Sequence, residues 1–282
     1  MIIRNHTRLT CLNRQGFTLV ELLIVMVIAA FVLTAIAATF QSQSKSYVVQ
    51  DQISEMQQNL RAGMLLMMRD VRMAGYDPTR FGGYVALAAA PNSFSFTADL
   101  NDDGGIPGGG ESFLFQLYDS DLDGINDSLR RTPPAGAAIA ENIEALGFAY
   151  AYDTDIDGDP DTLILDTSPN GHVIWAIDVG GIWNRLDFDD DGDIDEADGP
   201  GHGATGPLNL VPTGTPVVLS DIRAVRIWML GRTNRGKSGY VNNLTYVVGS
   251  DVITSKNDAN PLNDNFHMKL VEANIKCRNL GL

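Results

Sequence analysis

Arg14-Gln-Gly-Phe-Thr-Leu-Val-Glu-Leu-Leu-Ile-Val-Met-Val-Ile-Ala-Ala-Phe-Val-Leu-Thr-Ala-Ile-Ala-Ala-Thr-Phe40 is the stretch on which the fold turns. From Phe17 to Phe40 only Thr18, Thr34, Thr39 and Glu21 interrupt an apolar run. A helix needs about 20 such residues to cross the hydrocarbon core of a bilayer. The run therefore predicts a membrane-spanning helix. Glu21 is the exception within it, because an ionisable side chain in a membrane segment is costly and is expected to have a partner and a task. Residues 1–16 carry Arg4, Arg8 and Arg14 and no acid. That basic flank predicts a cytoplasmic N-terminus and an exported remainder.

The junction Gly16-Phe17, with Glu21 fifth in the run Phe17-Thr-Leu-Val-Glu-Leu-Leu-Ile24, resembles the type IV prepilin signature. The resemblance implies a dedicated prepilin peptidase that cuts after Gly16 and methylates the new N-terminal Phe17. It implies an assembly role for Glu21. An ordinary secretory signal is cut after its apolar core; here the cut precedes the core, which stays in the mature chain. Removing residues 1–16 takes away three arginines and no acid, so the formal net charge falls from −15 to −18. Such a balance disfavours nucleic acid as a partner. Of the two cysteines, Cys11 leaves with the leader, and Cys277 is left as a single thiol.

Beyond Tyr47, Ile53, Met56, Leu60, Met64, Met67 and Val71 recur at steps of three and four, which lines one helical face. No proline lies between Phe17 and Asp77, and Gly75 and Pro78 supply a stop. One helix from Phe17 to Ala74 is expected, about 87 Å long at 1.5 Å per residue. A break near Gln41-Ser-Gln-Ser44 is the alternative. After Pro78 the pattern changes. Ser93–Thr97, Ser112–Tyr118, Leu146–Tyr152, Thr162–Leu165 and Ile222–Leu230 read as strands, and Phe266–Cys277 as a closing strand. In the 222–230 strand, Ile222, Val225, Ile227 and Met229 are expected to face a core, Arg223 and Arg226 to point away, with a bulge near Ala224. Residues 140–145 are expected to form a short helical turn, and Pro200 to Pro216 a surface loop.

The expected class is α+β, a long N-terminal helix packed on a mostly antiparallel sheet. This is also the pilin fold that the signature implies. Gln50–Arg61, Met68–Tyr76, Asn142–Tyr150 and Ala224–Leu230 are similar to PilW-type minor pilins and, less closely, to J-type pseudopilins of type II secretion. The domain plan is a leader at 1–16, a transmembrane and assembly half of the helix at 17–40, its amphipathic half at 41–76, and a β-rich globular domain at 77–282.

Four acidic loops share one spacing: an acid or amide at positions 1, 3 and 5 and glycine at 6. The first has Asp99, Asn101 and Asp103 before Gly104. The second has Asp119, Asp121 and Asp123, then Ile125 at position 7 and Asp127 at position 9. The third has Asp153, Asp155 and Asp157, then Asp159 and Asp161. The fourth has Asp187, Asp189 and Asp191, then Asp193, Asp195 and, at position 12, Asp198. Alternate side chains that turn one way around a glycine bend, with a backbone carbonyl at position 7, suit calcium, which takes six to eight oxygens. The fourth loop fits best, although Asp198 is shorter than the usual bidentate Glu. The first, with Pro107 at position 9, fits least. Solvated turns built from Asp, Asn and Gly are the competing reading.

No catalytic constellation emerges, so an enzyme is not expected. His172, His202 and His267 stand in no motif that would activate Cys277, and Gly104 to Gly110 lacks a following Lys-Ser/Thr. Trp175, Trp183 and Trp228 read as core or rim residues. The expected function is a minor pilin of a type IV pilus, at the tip or in the priming complex. Its partners are the prepilin peptidase, other major and minor pilins and the inner membrane. The precursor is placed in that membrane with a periplasmic globular domain, and the mature subunit in an extracellular filament. Two rivals share many features: a type II secretion pseudopilin, and a membrane-anchored calcium-dependent adhesin that never polymerises.

Overall fold

The computed structural model describes residues 16–79, 85–104, 111–119, 127–132, 137–154, 160–163, 172–200, 206–214, 216–254 and 265–280. The chain divides into two units, Met1–Gln50 and Asp51–Leu282. A single α-helix, α1 (Leu19–Val71), begins in the first and ends in the second, with no interruption at residues 41–44. It starts at Thr18, an N-cap residue, and stops three residues short of the expected Ala74. There the N–H groups of Met73 and Ala74 bond three residues back, to Asp70 and Val71, and wind the end into a tighter turn. Gly75 follows at φ +73° and donates to the Thr97 carbonyl at 2.9 Å, so the chain leaves the helix directly onto a strand.

In the first unit the apolar side chains of α1 are exposed, and the helix is long and apolar enough to cross a membrane. In the second unit Met56, Leu60, Met64, Met67 and Val71 are buried and Ile53 is partly so, as their spacing predicts.

Sixteen strands follow among the described residues. β1 (Ala86–Ala90), β2 (Ser93–Thr97), β3 (Ser112–Tyr118), β4 (Ser128–Thr132) and β5 (Ala137–Glu141) form an antiparallel meander in chain order. β6 (Ile143–Tyr152) opens a second sheet. Then come β7 (Thr162–Leu163), β8 (His172–Val173), β9 (Ala176–Val179), β10 (Ile182–Arg185), β11 (Gly206–Pro207) and β12 (Val211–Pro212). The last are β13 (Ile222–Arg232), β14 (Thr245–Val248), β15 (Asp251–Thr254) and β16 (Met268–Lys276). The second sheet runs β12-β10-β9-β6-β13-β16, a third β11-β15-β14, and β7 pairs with β8. Every pairing among the described residues is antiparallel. The class is α+β, with the amphipathic end of one long N-terminal helix packed on antiparallel sheet.

The main core joins that helical face to Phe94, Phe96, Phe113 and Phe115 of the meander and to Phe148, Tyr150, Val225, Ile227 and Met229 of the second sheet. A second cluster lies around Trp228, Leu230, Ile177, Tyr246, Val248 and Val252. β13 therefore has cover on both faces, which explains why its sequence is nearly continuous in apolar residues rather than alternating.

Three expectations are corrected. Residues 140–145 form no helical turn: Ala140 and Glu141 end β5, Ile143 begins β6, and Asn142 at φ +58° turns the chain from one sheet into the next. Asn tolerates that left-handed conformation better than most residues. Arg223 does not point away from the core. The expected bulge is present between Ile222 and Ala224 in the pairing with β6, and it makes Arg223 the extra residue; the side chain is buried. Its guanidinium meets the buried Asp153 at 3.2 Å and the Ser220 carbonyl at 2.9 Å. The 200–216 segment is not all surface loop, since it holds β11, which pairs with β15, and β12, which pairs with β10, and Leu208 is buried.

Candidate functional site

The N-terminal site is built by local hydrogen bonding. With Leu19 as the first helical residue, Thr18 is the N-cap and Glu21 the third residue in. The Thr18 N–H donates to Glu21 Oε2 at 2.9 Å, and the Glu21 N–H donates to Thr18 Oγ1 at 3.2 Å. The Thr18 hydroxyl also donates to Glu21 Oε2 at 3.1 Å. This reciprocal capping box satisfies two N–H groups that a helix start would otherwise leave open. It holds the carboxylate back over the helix start, beside the Gly16-Phe17 junction and on the positive end of the helix dipole. Phe17 and the apolar residues after it are exposed.

The acidic loops differ sharply from one another. In the fourth, carboxylate oxygens of Asp187, Asp189 and Asp198 lie within 4.8 Å of one another. Asp190 and Gly192 take φ +61° and +94° to make the bend, and a Cβ on Gly192 would meet the His172 ring at 2.7 Å, so only glycine fits there. The Asp187 carboxylate accepts from the N–H groups of Asp190 and Gly192, and Asp198, 1% exposed, from those of Phe188, Asp189 and Asp195. Ile194 is buried in the second cluster and anchors the loop. Burial first, then neighbouring carboxylates, pushes Asp187 above the usual carboxylate range. Burial does the same for Asp198, against three backbone hydrogen bonds that pull the other way. Asp191, Asp193 and Asp195 stand outside this group. Asp191 and Asp195 accept from backbone N–H groups two residues on, and Asp190 pairs with Arg185.

In the third loop the buried Asp153 carboxylate is engaged by Arg223, and Asp161 accepts from the Thr154 N–H and hydroxyl. Asp155, Asp157 and Asp159 lie outside the described residues, as do Asp121, Asp123 and Ile125 of the second loop. Asp119 and Asp127 of that loop flank the gap, and the Asp127 carbonyl accepts from Ile143.

The first loop gathers a residue that sequence reasoning missed. Asp99, Asp103 and Glu111 bring carboxylate oxygens within 4.8 Å of one another. Asn101 is tied to Asp103: it accepts from the Asp103 N–H at 2.9 Å and donates to Asp103 Oδ2 at 2.9 Å. Glu111 stands immediately before β3, and the hairpin with β2 puts it beside Asp99, because the Ala98 N–H donates to the Glu111 carbonyl at 3.0 Å. The usable signal was an acid placed at the opposite strand end of a hairpin from an acidic loop.

Cys277 is buried, and burial pushes its thiol up to about 12, so a reactive thiolate is not available near neutral pH. Trp183 and Trp228 are buried and Trp175 partly so.

The family described as the prokaryotic N-terminal methylation motif matches residues 11–37. Residues 11–37 thus carry a prepilin-type N-terminal methylation motif, which spans the start of a helix long and apolar enough to anchor a precursor in a membrane. The motif implies processing by a prepilin peptidase and assembly with other pilins or pseudopilins. A solved type IV-like pilin from Thermus thermophilus is 12% identical, with a TM-score of 0.39 over 80% of this chain and 98% of that one. A comparison with curated proteins finds no match.

Proposed function

We propose that this chain is a PilW-type minor pilin of a type IV pilus, cut after Gly16 and N-methylated at Phe17. The observation that carries the reading is the placement of Glu21: an ionisable side chain at the head of an exposed apolar helix, held by Thr18 beside the processing junction. In a filament the apolar halves of neighbouring helices cover one another. There the Glu21 carboxylate pairs with the Phe17 ammonium that cleavage creates on the next subunit. Pairing offsets two buried charges and selects the register between subunits. Before assembly the helix crosses the inner membrane, with the β-rich domain on the periplasmic side. The subunit sits at the tip or in the priming complex, beside other major and minor pilins.

Calcium is the proposed ligand of the 187–198 loop, through Asp187, Asp189 and Asp198. The geometry supports it, since their carboxylate oxygens lie within 4.8 Å of one another around a bend made by Asp190 and Gly192.

Mass spectrometry of the mature protein tests the processing step. A chain beginning at methylated Phe17 is expected, and a chain retaining Met1 sinks the filament reading in favour of an anchored adhesin. A deletion strain separates the remaining two. Loss of pili supports the minor pilin, whereas intact pili with failed protein secretion would assign the chain to type II secretion.

A further inference from the structure

Among the described residues the Asp99–Glu111 pair is an electrostatic anomaly. Asp99 is 0% exposed and Glu111 6% exposed, and Asp99 Oδ1 and Glu111 Oε1 take no hydrogen bond. Neither residue is paired with an arginine, lysine or histidine among the described residues. A buried carboxylate oxygen with no donor is costly, and two close together repel. Among the described residues the buried acids Asp70 and Asp153 are matched by Arg131 and Arg223.

We infer that Asp99, Asp103 and Glu111 form a binding site for a hard divalent cation, calcium, separate from the 187–198 loop. One carboxylate oxygen from each of Asp99, Asp103 and Glu111 lies within 4.8 Å of the other two, which supplies three hard anionic ligands, and Asp99 and Glu111 each keep an oxygen with no donor. The rest of the pocket is already arranged. The Gly104 N–H holds the other oxygen of Asp99 at 3.2 Å, and Asp102 and Gly104, at φ +57° and +63°, curl the loop so that Asp103 returns toward Asp99. Exposure of Asp103 leaves room for water to complete a coordination number of six to eight. The cation ties the loop after β2 to the start of β3. The Asp99 N–H donates to the Tyr76 carbonyl at 2.8 Å, so the same ion steadies the turn by which α1 passes into the sheet. This inference goes beyond the filament reading and does not depend on it.

The test uses the full chain purified in detergent, stripped with a chelator and then titrated with calcium chloride. Bound calcium is counted by equilibrium dialysis, and the thermal midpoint is followed by circular dichroism. Glu111→Gln is expected to bind one ion fewer per chain than the parent and to lose part of the calcium-induced rise in midpoint. In chelator it melts at or above the parent, because an unmatched charge has gone. Asp187→Asn keeps the ion at Asp99–Glu111, which separates the two sites. Asp103→Asn is exposed and leaves folding intact, so it provides the same count should Glu111→Gln not fold. Unchanged ion counts in Glu111→Gln or Asp103→Asn, or no calcium bound by the parent, would overturn the inference.

Discussion

Glu21 and Thr18 cap the same helix end from opposite directions, the carboxylate accepting from one N–H at 2.9 Å and the hydroxyl from the other at 3.2 Å. The carboxylate thus has a structural duty within its own chain as well as the proposed duty toward a neighbour. Substitution separates them. Gln at this position can still complete a capping box but carries no charge. Both Glu21→Gln and Glu21→Ala are expected to abolish recovery of the protein in sheared filaments, while Glu21→Gln keeps the helicity of the parent in detergent. Thr18→Ala, at a cost of about 1 kcal/mol in capping, should still assemble. Filament yields of Glu21→Gln equal to the parent's would leave capping as the whole role.

Asp70 and Arg131 join the helix to the meander. Arg131 Nε donates to Asp70 Oδ2 at 2.6 Å, its guanidinium lies over the Phe113 ring, and Arg69 takes the other carboxylate oxygen at 2.9 Å. Removing one partner leaves a poorly solvated charge, which costs about 3 kcal/mol in such settings. Asp70→Ala and Arg131→Ala should each lower stability to urea by roughly that amount, and the double variant by clearly less than the sum. Additive losses would show that the pair is not coupled.

Gly147 lies where the second and third sheets touch. A Cβ there would meet the Gly249 nitrogen at 2.5 Å and the Val248 carbonyl carbon at 2.8 Å, both backbone atoms that cannot rotate away. Gly147→Ala is expected to destabilise the domain by about 1–3 kcal/mol through overpacking, read from the denaturation midpoint. A neutral effect would mean that the two sheets can separate by several tenths of an ångström without loss.

His267 stacks on Tyr240 with ring centroids 3.9 Å apart. Burial first, and the charge of Lys237 second, hold its pKa below the ordinary 6.5. Between the lowered folded value and 6.5 the unfolded chain binds the proton more readily than the folded one. Stability is therefore full above 6.5 and falls as the pH drops through that interval. His267→Gln should flatten the fall in that interval when thermal midpoints are compared across pH. The same slope in parent and variant would assign the effect to other groups.

Local chemistry made much of this protein legible as sequence. An apolar run long enough for a bilayer, a buried face repeating every three or four residues, and strands bounded by glycine and aspartate are all written in consecutive residues, where periodicity is a short-range property. The N-terminal junction was legible for the same reason, since Gly16 and Phe17 adjoin Thr18 and Glu21, which act on one another across a single helical turn. Tertiary structure alone decided what depends on residues distant in the chain. Arg223 is inward because a bulge opposite β6 turns it toward Asp153, 70 residues away, and β13 is apolar on both faces because another sheet covers its second face. Among the acidic loops, repeating spacing could not tell carboxylates satisfied by their own backbone from a pair in which each keeps one oxygen without a donor. That distinction rests on which strand end a hairpin delivers beside the loop, and there it delivers Glu111 to Asp99.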